Sequence, residues 1–449
     1  MPRLALAAPL VALLLSSTAS AAPPTFVEQR RNFMVFDDDG TIEHANWFSR
    51  AGFYAGYYPL EEGFLAVHPD DSEFIIVYST FNLVDGVGAF FQSLANDVKG
   101  IGYSHAADLD PVIPAEFFDD TPDSKMVGML HMNNWQFFLN QGTTDLNEEW
   151  ISLVFGQELG HAWLAFPYID QGMGPSDVML GRAKAHWSFY LNTGGSPVEG
   201  HRWTDNGDGT FTAEKLSAYE FSDLDLYLMG LMDPKEVKPW FVIEDPHDCI
   251  DSQLPNMECP SPEAHRFKAP TFTVSGTRRD ITIDDVIAAE GAREPAYPDA
   301  PSEFNLSFLL IKRPDEVLCD AEYELIDKVI DRSLEMWVGQ TRGRATLINR
   351  TQSADPIPPS PDCTPTDTTG GSTGGSTGEP DPTTGGAPTT TGDAPGSTGP
   401  GSTGPASASD TAGGGTGESG CACQADPEDS PAALLVLGLA GLLARRRRA

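Results

Sequence analysis

Hydrophobic positions change their spacing along this chain, and each change marks an element. EFIIVYST (73–80), MVGMLHM (126–132) and FNLSFLLIK (304–312) are short apolar runs rich in β-branched and aromatic residues, the composition of strands. FLAVHP (64–69) reads the same way, and TFTVSG (271–276) is strand-like. Over 321–339 the period lengthens. Ile326, Val329, Ile330, Leu334 and Trp337 fall three and four apart, which predicts a helix. A second helix is predicted over 145–165. Asp145 with Glu148 gives a capping-box start, and Trp150, Val154, Gln157, His161 and Leu164 follow along one stripe. Mixed periods of this kind predict an α+β fold, a mixed sheet with helices packed on it. Residues 236–285, with several prolines, two cysteines and short strand-like runs, read as a lobe or insertion.

The helix over 145–165 carries a conflict. Gln157, Glu158 and His161 lie on or beside its apolar face, where polar groups are costly without partners. Gly156 and Gly160 each cost about 1 kcal/mol relative to Ala in a helix interior. Two such glycines imply that a strand, another helix or a ligand packs closely against them.

The stretch VFGQELGHAW (154–163) differs by one residue from H-E-x-x-H, since Gln157 stands where that motif has its first histidine. Over about ten residues it resembles the zincin metallopeptidases, in which two histidines four apart bind one zinc and the glutamate between them serves as general base. The resemblance implies a zincin-like fold around this helix, zinc as cofactor, protein or peptide substrates, Glu158 as the catalytic base and His161 as a metal ligand. Three arrangements are open at this point. Zinc can be held by His161 with ligands from elsewhere; Glu158 and His161 can both be ligands, as an i, i+3 Glu–His pair; or the polar groups can form a hydrogen-bonded core network with no metal.

Further ligands have to come from downstream. His186, in GRAKAHWSFYLNTGG (181–195), is the first choice for a second metal ligand. Asp225, in FSDLDLYLMGLM (221–232), is the reserve, with Glu220 beside it; Ser222-x-x-Asp225 reads equally as a capping box. His201 in EGHRW is a weaker candidate, and His131 in MLHMNN is expected to line the site rather than ligate. WTDNGDGTFT (203–212) reads as a hairpin turn and lacks the register of an EF-hand loop. No G-x-S-x-G elbow, P-loop or Rossmann fingerprint stands out, which ranks serine hydrolysis and nucleotide chemistry low.

The two ends carry addresses. Residues 1–21 have a positive start, an apolar run and a small-residue cleavage site, the pattern of a secretory signal. Residues 22–354 form the globular body. Residues 355–420 are rich in Thr, Gly, Pro and Ser and cannot bury enough apolar surface to fold, which makes them a stalk. Residues 421–449 form a tail whose apolar segment, 432–444, spans only about 20 Å as a helix, short of a hydrocarbon core of roughly 30 Å. The GCAC sequence at 420–423, this short apolar run and Arg445 to Arg448 together resemble the MYXO-CTERM sorting tail. That resemblance implies export and attachment at the cell surface, with membrane association through the tail.

Net charge is −37, which argues against nucleic acid as a partner. Cys249 and Cys259 bracket a short polar loop and are expected to pair; Cys319 with Cys363 is the couple left by elimination. The functional expectation is an exported, surface-anchored metallopeptidase-like protein. The alternative is a non-catalytic adhesin or binding domain with a degenerate metal site.

Overall fold

The computed structural model describes residues 22–47, 50–84, 87–94, 96–105, 125–254 and 257–355, and the backbone of a strand at 421–424. The expected signal segment, the stalk beyond residue 355, Cys363 and the apolar run of the tail lie outside the described residues. Among the described residues no helix is long and apolar enough to cross a membrane.

The strands are β1 (Thr25–Gln29), β2 (Met34–Asp37), β3 (Phe74–Ser79), β4 (Val87–Ser93), β5 (Gly128–Asn134), β6 (Trp187–Asn192), β7 (Glu199–His201), β8 (Trp203–Asp205), β9 (Thr210–Glu214), β10 (Trp240–Asp251), β11 (Thr271–Ile281), β12 (Glu303–Lys312), β13 (Thr346–Asn349) and β14 (Cys421–Gln424). The principal helices are α1 (Arg50–Leu65), α2 (Glu148–Gly160), α3 (Asp223–Leu228), α4 (Ile283–Glu290) and α5 (Asp320–Gln340). Both sheets are mixed, and the fold is α+β. The first runs β1-β2-β12-β3-β5-β4-β14, with β13 also paired to β12. Strands β2, β12, β3 and β5 are parallel, while β4 returns antiparallel on β5. The second runs β7-β6-β10-β11-β9-β8 and is antiparallel except for β6 and β7.

The central strands of the first sheet are apolar throughout because both faces are covered. Ile75, Val77 and Met129 pack with Tyr57, Leu60 and Phe64 of α1 on one face. Ile76, Tyr78, Leu130 and Met132 face the other way, toward Ile151, Val154 and Phe155 of α2 and Ile326, Val329 and Ile330 of α5. Helix α2 therefore lies sandwiched. From Ile151 onward nearly all of it is buried, not one stripe alone. Gly156 permits this close approach: a Cβ there would sit 2.5 Å from the Gln340 side-chain amide of α5, which would have to shift.

Strands β3, β5, β11 and β12, the helix α5 and the hairpin turn between β8 and β9 stand where the sequence places them. Three expectations are corrected. FLAVHP is not a strand, because Phe64 and Leu65 complete α1. The helix α2 is capped by Asn147, whose side chain accepts the Trp150 amide at 3.1 Å, and not by Asp145. His131 does not line the α2 side of the sheet. It points to the α1 side, its ring 4.1 Å from that of Trp47 and 4.4 Å from that of Phe90.

Residues 236–285 supply β10 and β11, which pair with each other and link β6 to β9 inside the second sheet. The loop between them is closed by the disulfide Cys249–Cys259. Cys319 stands at the N-cap of α5 and has no disulfide partner among the described residues; its expected partner, Cys363, lies outside them.

Candidate functional site

Helix α2 ends at Gly160, and His161 is its C-cap residue. The imidazole Nδ1 lies 3.0 Å from the Leu164 carbonyl oxygen, so Nδ1–H donates there and Nε2 keeps its lone pair. That Nε2 is buried and has no hydrogen-bond partner. One turn earlier on the same face, the Gln157 amide nitrogen stands 3.2 Å from Nε2 of His186. The rings of His161 and His186 meet edge to face, with centroids 4.8 Å apart. Glu158 is fully buried in the same turn of helix.

His186 arrives on a tight turn that precedes β6. Gly181 opens it, where a Cβ would meet the carbonyl oxygens of Pro262 and Trp187, each at 2.8 Å. Ala183 (φ +53) and Lys184 (φ +51) then adopt left-handed backbone, a strained conformation for residues with a Cβ. The turn brings Nδ1 of His186 to 3.0 Å from the Arg182 carbonyl oxygen, which fixes the proton on Nδ1 and turns Nε2 to the cluster. Nε2 is approached both by Gln157 and by the Arg182 guanidinium, at 2.7 Å.

The guanidinium also grips Glu199. Its Nη2 and Nε lie 2.9 and 3.2 Å from Oε1 of that carboxylate, and His265 Nδ1 lies 3.6 Å from the same oxygen. Oε2 of Glu199 is buried and has no hydrogen-bond partner. Glu199 begins β7 with φ +72, and Gly200 follows at φ +67. Parallel pairing of β7 with β6 sets Glu199 opposite Trp187, next to His186 in the chain.

Charge in this cluster is set by burial. His161 titrates at about 4, because burial disfavours the imidazolium more than the Leu164 carbonyl favours it. His186 is pushed well below the ordinary histidine value by burial and then by the Arg182 charge. Both rings are neutral at physiological pH, the form that ligates metals. Burial alone would raise the Glu199 carboxyl; the Arg182 guanidinium, with His265 and Arg266, outweighs it and holds the group well below the usual range.

Asp225, the reserve ligand, is committed elsewhere. Its Oδ1 accepts the Trp187 indole N–H at 2.8 Å and its Oδ2 accepts the Ser222 amide at 2.7 Å, completing the capping box of α3. Glu220 pairs with Arg342 at the surface. His201 has Nδ1 on the Phe189 carbonyl at 2.8 Å and its ring stacked on Phe267.

The fold thus brings His161 and His186 together with Gln157, and Glu158 is buried at the next position of the same helix. It does not bring in Asp225 or His131, and the sequence reading missed Arg182 and Glu199. Among the described residues, no three His, Cys, Asp or Glu side chains stand close enough together to hold a metal ion. In this cluster the Arg182 guanidinium bonds both His186 and the Glu199 carboxylate. The donors nevertheless fit zinc in kind: two imidazole nitrogens with their protons anchored on carbonyls, and a carboxylate. A polar groove at the carboxyl ends of β3 and β12, lined by Glu43, His44, Thr80, Asn82 and Arg313, includes none of these residues. No protein-family model, curated protein or solved structure matches the chain.

Proposed function

We propose that this chain is an exported, surface-displayed, metallopeptidase-like protein acting on peptides, with zinc held at the end of α2 by His161 and His186. The carrying observation is the buried, unpartnered Nε2 of His161 beside the His186 ring. A lone pair left unsatisfied in the interior costs about 1–3 kcal/mol, and a cation is the partner that two neutral imidazoles with anchored Nδ1 protons are arranged to receive.

In this reading zinc supplies Lewis acidity and a water that ionises near neutral pH. The chain's own residues do the rest. The Leu164 and Arg182 carbonyls fix the tautomers of the two histidines. Glu158 takes a proton from the attacking water and later delivers it to the leaving amine. Gln157 holds the His186 ring through Nε2 before the metal arrives, and its amide would have to turn aside when that nitrogen takes the zinc. The signal segment, stalk and tail are part of the same proposal, as the route to the cell surface.

Elemental analysis of the purified chain tests it. About one zinc per chain is expected, falling to background in His161→Ala. Glu158→Gln is expected to keep the metal and lose peptide hydrolysis. A second reading, a non-catalytic binding protein, is favoured by the near-complete burial of Glu158, His161 and His186. Full activity in Glu158→Gln, or metal content unchanged in His161→Ala, decides against the hydrolase.

A further inference from the structure

We infer that Arg182 is a displaceable plug: its guanidinium stands in the place of a divalent cation between His186 and Glu199, and Glu199 is the third metal donor once the arginine leaves. This rests on the reading of His161 and His186 as metal-holding residues and adds to it a ligand and a gate.

Four observations converge on that contact. The guanidinium occupies the two acceptors a cation would take: Oε1 of Glu199 at 2.9 Å and Nε2 of His186 at 2.7 Å, the latter shared with the Gln157 amide at 3.2 Å, which would turn aside with it. It leaves two buried acceptors beside it without hydrogen bonds, Nε2 of His161 and Oε2 of Glu199. A planar N–H fork bonds acceptors in its own plane, whereas a tetrahedral cation accepts donors from several directions. Both chain segments that make the contact are held in left-handed backbone, at Ala183 and Lys184 on one side and Glu199 on the other. Such strain persists where the surroundings enforce it and clusters at ligand clamps and switches. Finally, the contact is the part of the cluster that meets solvent. The Arg182 side chain is 17% exposed and the His265 side chain, against the same carboxylate, is 50% exposed. The arginine therefore already reaches solvent at one side of the cluster.

The two cations exclude each other. A guanidinium and a zinc ion a few ångströms apart in a poorly screened interior repel strongly, and they compete for the same carboxylate oxygen. Zinc binding in the wild-type chain is accordingly opposed by the free energy of the Arg182–Glu199–His186 bridge.

Isothermal zinc titration of the metal-stripped full-length chain tests this, with circular dichroism to confirm folding. Arg182→Ala is expected to bind zinc at least tenfold more tightly than wild type, a difference of about 1.4 kcal/mol. Glu199→Gln added to that background is expected to remove the gain. Arg182→Ala is also expected to melt lower than wild type without zinc and to recover with zinc but not with magnesium, a rescue that a purely structural arginine would not give. Should Arg182→Ala fail to fold, Arg182→Met keeps most of the side-chain stem and carries the same expectation. Zinc binding that is lost in His161→Ala but indifferent to Arg182 and Glu199 overturns the plug and leaves the metallopeptidase-like reading standing. Folded variants that bind no zinc with or without Arg182 overturn both.

Discussion

Gln157 donates its side-chain amide to Nε2 of His186 across 3.2 Å. The residue that replaces the first histidine of the motif is therefore not idle. It holds a histidine from another part of the chain close to its own helix face, edge to face with His161. His161 of α2 and His186 of the turn before β6 are thus brought side by side from two segments of the chain.

If position 157 lies at the wall of a metal site, restoring the missing imidazole strengthens it. Gln157→His is expected to raise zinc affinity by at least tenfold, by adding a nitrogen donor one turn before His161. Competition against a chromophoric chelator measures it. Affinity equal to wild type places position 157 outside the ligand shell.

Asp225 is expected to act through folding alone. Its carboxylate accepts both an indole N–H and a backbone N–H, and an asparagine offers one acceptor oxygen and turns an N–H₂ toward the other donor. Asp225→Asn is expected to lose about 1–3 kcal/mol of stability in urea denaturation with zinc content unchanged. Loss of metal from the folded variant would return this residue to the list of ligands.

His131 makes the body acid-sensitive. Burial between Trp47 and Phe90 lowers its titration from about 6.5 to about 3, and neither ring nitrogen has a partner. An imidazole that stays neutral in the fold but protonates when unfolded leaves stability intact above pH 6.5 and erodes it as pH falls toward 3. At pH 5 the loss from this one group is about 2 kcal/mol, taking 1.36 kcal/mol per unit. His131→Leu is expected to lose about 2 kcal/mol less than wild type between pH 7 and pH 5 in urea denaturation. His161 and His201, both lowered to about 4, keep the remaining slope in the same direction. Identical slopes would contradict the burial of a neutral ring.

Much of the fold was legible because its central strands are apolar on both faces and α5 has a clean helical period. Helix α1 was not. It contains Pro59 and three glycines, and its end reads as FLAVHP. Tertiary packing overrides that poor propensity: Gly56 lies against the Trp47 ring and Gly63 against Pro24, each with no room for a Cβ. The side of the sheet that His131 faces was illegible for a related reason. A strand apolar on both faces shows no alternation from which to read direction.

In the candidate site, Glu158, His161 and His186 could be picked out from a motif and a neighbouring histidine. Arg182 and Glu199 could not, since an Arg–Glu contact carries no local signature and depends here on parallel pairing of β6 with β7. The one available hint was Gly200, which permits the reversed backbone that presents Glu199.

The most direct measurement is anomalous scattering at the zinc absorption edge from crystals of the body grown with zinc. One peak is expected within bonding distance, about 2 Å, of both the His161 and His186 Nε2 atoms, with the Arg182 guanidinium moved away from His186. A structure at full zinc occupancy of surface sites, with no peak between those two imidazoles and Arg182 still on His186, would contradict the account.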